Sequence, residues 1–277
     1  MKKLPLLLAF ILFVNVFANA GAAFQVQVVG KGKPVLFFPG FGCTGDVFKE
    51  AVAKLSKQYE CHVFTFAGFG NVPAIEKPWL PKIKDEVIAY VNNKQLKQAV
   101  IVGHSLGGTL GLWLASSEKQ LFKKVIAVDA LPCTGALMVP NFKPEMMVYE
   151  SPNTKQMMQM DSAAFRSMAN QQVNYMILNK QKHAQVIDWM LMADRSTFVY
   201  GYVDLLRLDL REDIAGIQIP VVVLAATHPN KTMIEKTYNE QFAKLQQKTI
   251  LYADQSAHFV MYDQPEWFLT QLTENLQ

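Results

Sequence analysis

The chain predicts an α/β fold, a mostly parallel central sheet flanked by helices, and three observations carry that expectation. Short apolar runs with strand character alternate with segments of helical periodicity at both ends of the 277 residues, as expected where helices connect parallel strands. Between these two regions, residues 131–213 lose every strand signal and read as a helical cap inserted after the sixth strand. Ser105, Asp129 and the Gly40–Gly42 loop all fall at the carboxyl ends of predicted strands, where sites form in open α/β sheets.

Taken in order, Phe24–Val29 alternates apolar and polar residues, the pattern of a half-exposed edge strand. After the turn at Gly30–Lys33, Pro34–Phe38 is continuously apolar and reads as a buried central strand ending in Pro39-Gly40-Phe41-Gly42. A glycine-rich loop of this kind can turn unpaired backbone N–H groups toward an anion. Asp46–Lys57 has helical spacing and Cys61–Phe66 is a further strand. Pro78–Asn93 places Ile83, Val87, Ile88 and Val91 on one helix face and feeds the strand Gln98–Val102. That strand runs into Gly103-His104-Ser105-Leu106-Gly107, which matches Gly-x-Ser-x-Gly, with small residues continuing into a helix. Lys124–Asp129 is the next strand.

In the 131–213 stretch, Ser162–Leu178 and Ala184–Met192 are helical, and ten of the thirteen methionines of the chain lie there. Methionine suits surfaces that accommodate variable apolar groups, and packing of the cap on the body accounts for most of these residues. The parallel pattern returns with Ile219–Ala225, a helix near Met233–Leu245, the strand Lys248–Tyr252, the loop Ala253–His258, and a final helix opened by Pro265.

The first twenty residues read as a targeting leader. Lys2 and Lys3 precede the apolar run Leu4–Phe17, and Ala18-Asn19-Ala20 is a small-residue cleavage signal. The expected organisation is thus a signal peptide at 1–20, a core from 21–130 and 214–277, and the cap at 131–213. The protein is then exported, periplasmic or secreted, with no stable membrane span after cleavage. Of 27 basic and 23 acidic residues in the whole chain, two basic ones lie in the leader. A balance this even, with no basic run, argues against a nucleic-acid surface. Cys43, Cys61 and Cys133 match no zinc spacing, and a Cys43–Cys61 disulfide is one expectation for an exported chain.

A serine hydroxyl needs a base within hydrogen-bond reach, usually a histidine held by a third group. His62 and His183 read as structural or solvated, His104 lies within the turn, and His228 competes at a strand end. His258, after the last strand and at the serine's end of the sheet, is the expected base. Over residues 25–275 the chain resembles the α/β-hydrolase superfamily of esterase- and lipase-like serine hydrolases. The resemblance rests on Pro39–Gly42, Gly103–Gly108, Ile219–Val222, Ala257-His258-Phe259 and Gln264-Pro265-Glu266.

The resemblance implies Ser105, His258 and an acid as a catalytic triad, with Phe41 and Leu106 N–H groups as an oxyanion hole. Gly40, Phe41, His104 and Met138 are the expected substrate-binding residues. Two departures stand out. Pro39 precedes Gly40 where the family often carries His-Gly, and the loop Ala226–Lys231 lacks the carboxylate expected after the penultimate strand. Asp129 becomes the expected acid, with Asn230 or Asp254 as alternatives. The activity implied is cleavage of moderately apolar carboxylic esters, a small-molecule acyl substrate, without metal or organic cofactor. A peptidase, amidase or thioesterase, or a non-catalytic binding protein, are the competing readings.

Overall fold

The computed structural model describes residues 22–277, and the leader assigned to residues 1–20 lies outside the described residues. Its centre is a seven-stranded sheet: β1 (Phe24–Val29), β2 (Lys33–Phe38), β3 (Tyr59–Phe66), β4 (Ala99–His104), β5 (Phe122–Val128), β6 (Val221–Ala226) and β7 (Lys248–Ala253). The spatial order is β1-β3-β2-β4-β5-β6-β7. Only β1 is antiparallel, pairing Phe24 with Phe66 and Val29 with Cys61 along β3. Its alternating sequence suits that edge. Every residue of β4 and β6 is buried, as continuously apolar strands must be when helices cover both faces.

Five helices flank the sheet: α1 (Lys49–Leu55), α2 (Trp79–Asn93), α3 (Leu106–Ser117), and, near the end of the chain, α8 (Lys231–Gln241) and α10 (Pro265–Asn275). The four-residue helix α9 (Val260–Asp263) follows the loop that carries His258. Helix α2 buries Ile83, Val87 and Val91 of the stripe its spacing predicts, leaves Ile88 half-buried, and buries Trp79 and Leu80 as well. Helix α3 is buried on nearly all sides, with Leu106, Leu110, Leu112 and Leu114 essentially inaccessible.

Between β5 and β6 the chain forms α4 (Pro152–Gln159), α5 (Ser162–Met176), α6 (His183–Met192), a π-helical stretch at Thr197–Gly201, and α7 (Tyr202–Arg207). Among the described residues this insertion follows the fifth strand, not the sixth, because no further strand joins the sheet ahead of β5. No described helix is long and apolar enough to cross a membrane.

The expected Cys43–Cys61 bridge is absent, and all three cysteines are free and buried. Topology explains this. Cys61 pairs with Val35 near the start of β2, whereas Cys43 lies beyond the far end of that strand. Three residues of strand, each rising about 3.3 Å, separate their levels, well beyond disulfide reach. Burial pushes both thiols up to about 12, so they stay protonated.

Candidate active site

The strand ends assemble the site. Ser105 stands between β4 and α3 with φ 52° and ψ −119°, a backbone conformation rarely open to a residue with a side chain. Its N–H donates to Val128 O at 2.9 Å, extending the β4–β5 ladder by one residue, and its C=O accepts from Gly108 and Thr109 N–H as the helix begins. The flanking glycines make the turn sterically possible. A Cβ on Gly103 would come within 2.2 Å of Gly107 O, and one on Gly107 within 2.2 Å of Phe38 O. Both collisions are with backbone, which cannot swing aside.

Asp129 follows β5 and also has a positive φ, 42°. Its N–H donates to Leu224 O at 2.8 Å, which fixes the carboxylate beside the end of β6. Oδ2 lies 2.6 Å from His258 Nδ1, while Oδ1 accepts from Ala226 N–H at 2.9 Å and from Tyr238 OH at 2.8 Å. Burial works against the charged form, but hydrogen bonds from His258, Ala226 N–H and Tyr238 outweigh it and hold Asp129 below the usual carboxylate range. Asp129 therefore meets His258 across 129 residues of sequence.

The other candidate acids are engaged elsewhere. Asn230 caps α8 by accepting from Met233 N–H at 3.1 Å, and Asp254 pairs with Lys231 at 2.9 Å in an exposed position. His228 is exposed. His62 is buried between Tyr90 OH and Glu60, each at 2.8 Å, and His183 Nε2 donates to Ile177 O at 2.9 Å.

The Phe41 N–H, in the turn after β2, and the Leu106 N–H, at the first position of α3, have no hydrogen-bond partner among the described residues. Leu106 is one of the orphan donors that any helix start leaves. The Phe41 ring packs against Phe69, Phe198 and Tyr202 at centroid distances of 5.1, 5.4 and 5.4 Å, and against Trp79 at 6.0 Å. Two of these rings come from the π-helical stretch and the start of α7, so the insertion helps to hold the loop that carries Phe41. Gly40 lies against the elbow, where an added Cβ would meet His104 Nδ1 at 2.7 Å and Ser105 Cβ at 3.4 Å.

Two of the expected substrate contacts, His104 and Met138, lie in very different surroundings. His104 is wholly buried beneath the turn: side chains alternate along β4, and its ring faces away from solvent toward Gly40 and Phe259. Its Nε2–H donates to His258 O at 3.0 Å, and burial, with His258 next to it, lowers its pKa to about 3. It is a neutral residue enclosed beneath the turn. Met138 is 59% exposed after a short 3-10 turn. Sequence reasoning missed Tyr238 and Asp263, whose carboxylate accepts from Ala257 N–H beside His258. Nothing in the local sequence marks Tyr238, because its partner lies 109 residues away.

Two recesses, of about 300 Å³ between α1 and the C-terminal helices and about 480 Å³ beside Ala23, touch none of Ser105, Asp129 and His258. Among the described residues no group of three or more His, Cys, Asp or Glu converges as a metal site.

Comparison with known proteins agrees with the fold. The chain is 22% identical over 204 residues to a pimeloyl-[acyl-carrier protein] methyl ester esterase of Aliivibrio fischeri, covering 70% of this chain and 75% of that protein. It is 20% identical over 256 residues to 3-oxoadipate enol-lactonase 1 of Acinetobacter baylyi, covering 90% and 91%. Among solved structures, an enol-lactonase from Burkholderia xenovorans superposes with a TM-score of 0.78 at 16% identity, covering 91% of this chain and 96% of its own. A thermophilic esterase from Thermogutta terrifontis gives 0.74 at 16%, covering 96% and 98%. The sequence model of the alpha/beta hydrolase family matches residues 35–271, nearly the whole described chain, and this protein belongs to that family.

Proposed function

We propose that the protein is an exported serine hydrolase that cleaves carboxylic esters through Ser105, His258 and Asp129. The observation that carries this reading is the 2.6 Å contact between His258 Nδ1 and Asp129 Oδ2 at the sheet end where Ser105 occupies its strained turn. Asp129 accepts a hydrogen bond from Nδ1–H, which leaves Nε2 as the free base. His258 takes the Ser105 hydroxyl proton as Oγ attacks the acyl carbonyl. The N–H groups of Phe41 and Leu106 receive the oxyanion, and donors of this kind contribute about 3–4 kcal/mol each. The protonated His258 then protonates the leaving alcohol. Water, deprotonated by the same histidine, releases the acid from Ser105.

The names of the relatives support ester bonds as the target: a methyl ester esterase and an enol-lactonase. The rings around Phe41 support a moderately apolar acyl group. Residues 131–213 act as the cap over a core formed by 21–130 and 214–277. Export rests on the leader alone, and N-terminal sequencing of protein recovered outside the cytoplasm is expected to begin at or near Gly21.

Hydrolysis of p-nitrophenyl esters of increasing chain length tests the activity. Purified protein is expected to turn over short and medium acyl esters, and Ser105→Ala to abolish turnover. Equal rates for parent and Ser105→Ala would overturn the reading.

A further inference from the structure

The loop that carries His258 has no regular secondary structure from Asp254 to Phe259, so no sheet or helix ladder fixes the base. Hydrogen bonds fix it instead, from both sides. His258 C=O accepts from the buried His104 Nε2–H at 3.0 Å, and Phe259 N–H donates to Met176 O at 3.2 Å. On the other flank, Ala257 N–H donates to Asp263 Oδ2 at 2.8 Å.

The second oxygen of Asp263 reaches a different part of the chain. Oδ1 accepts from Leu178 N–H at 3.0 Å and Asn179 N–H at 2.9 Å, both in the turn between α5 and α6 of the insertion. Asn179 Nδ2–H adds a bond to Tyr262 O at 3.2 Å. The Asp263 side chain forms no ion pair among the described residues and spends its acceptor capacity on these three backbone donors. Bonds from N–H groups to a carboxylate are shorter and stronger than neutral ones. A single half-buried carboxylate thus joins the inserted helices to the residue beside His258.

We propose that Asp263 is a positioning residue, one that references the location of His258 to the inserted helices and not to the sheet alone. The proposal rests on the serine-hydrolase reading. Displacing a base by an ångström can cost about 100-fold in rate. Releasing Asp263 therefore slows each turnover rather than weakening substrate binding.

Asp263→Ala and Asp263→Asn, measured in the whole protein, test this. Asparagine keeps the shape but only one acceptor oxygen, so it retains only one of the two arms. Active sites are counted by fluorophosphonate titration, and kcat is expressed per titrated serine, so that partial unfolding does not enter. The expected result is a kcat per site lowered about 10- to 100-fold in Asp263→Ala and by less in Asp263→Asn, with KM within about threefold of the parent and partial recovery in Asp263→Glu. If Asp263→Ala melts below the assay temperature, Asp263→Asn carries the comparison. A kcat per site within twofold of the parent in the folded variants overturns the proposal and leaves the triad intact. Failure of the parent itself to be titrated at Ser105 overturns the serine-hydrolase reading, and this proposal with it.

Discussion

Asp129 accepts three hydrogen bonds, and their consequences are separable by substitution. Asp129→Asn presents an amide where His258 Nδ1–H needs an acceptor and favours the wrong tautomer. A fall in kcat on the order of 10⁴-fold is expected, and ester kinetics showing less than threefold would remove Asp129 from its role. Tyr238→Phe deletes one donor to the same carboxylate and leaves the ring packing intact. One bond to a charged group is worth about 1.5 kcal/mol, so kcat is expected to drop about tenfold with KM unchanged. His104 makes a prediction about stability. Its folded pKa of about 3 lies below the ordinary value of 6.5, so the unfolded chain binds the proton first as pH falls. Stability is intact above 6.5 and is lost between 6.5 and 3, at up to about 1.4 kcal/mol per pH unit. Melting temperatures from pH 7 to 4 are expected to fall more steeply in the parent than in His104→Gln; equal slopes would contradict the assignment. At this scale motif and chain order pointed to the strained turn at Ser105 and to the neighbours Asp129 and His258, and their proposed roles rest on those readings. Nothing in the sequence signalled Tyr238 beside Asp129 or the complete burial of His104, because the neighbours of both are set by packing.

The elements carry the site through a few close approaches. Gly103 and Gly107 let β4, β2 and α3 meet at backbone contact distance, and Gly103→Ala is expected to cost more than about 4 kcal/mol or to prevent folding, measured by chemical denaturation. Helix α2 begins without a cap of its own. Asp204 of α7 supplies one from 125 residues away, accepting from Trp79 N–H at 2.6 Å and Leu80 N–H at 3.1 Å, with Tyr149 OH on its other oxygen. Asp204→Ala is expected to cost about 1–2 kcal/mol and to lower the melting temperature by several degrees, since 1 kcal/mol moves a chain of this size by about 2–4 °C. The core strands and α2 were legible because apolar runs and helical stripes each have one packing solution. Helix α4 was not, since most of its residues are polar or exposed and its start depends on a capping box at Ser151 and Thr154 rather than on an apolar face. The π-helical stretch likewise leaves no sequence period to detect.

Across the whole molecule, the inserted helices are tied to both arms of the site. Phe198 and Tyr202 pack on Phe41 beside one free N–H, Asp194 N–H donates to Gly68 O at 2.8 Å, and the Asp263 carboxylate joins Leu178 and Asn179 to the histidine loop. The alternation of strands and helices announced the α/β sheet, and the fading of strand signals after residue 131 announced the insertion. The ties between them were hidden, because each joins residues far apart in sequence through main-chain groups that every residue possesses. The central proposal is that His258 activates Ser105. Fluorophosphonate labelling of the purified protein, with the modified peptide mapped by mass spectrometry, tests that claim most directly. The account predicts modification at Ser105, none in Ser105→Ala, and strongly slowed modification in His258→Ala. A folded parent that resists labelling, or labels no faster than His258→Ala, would contradict it.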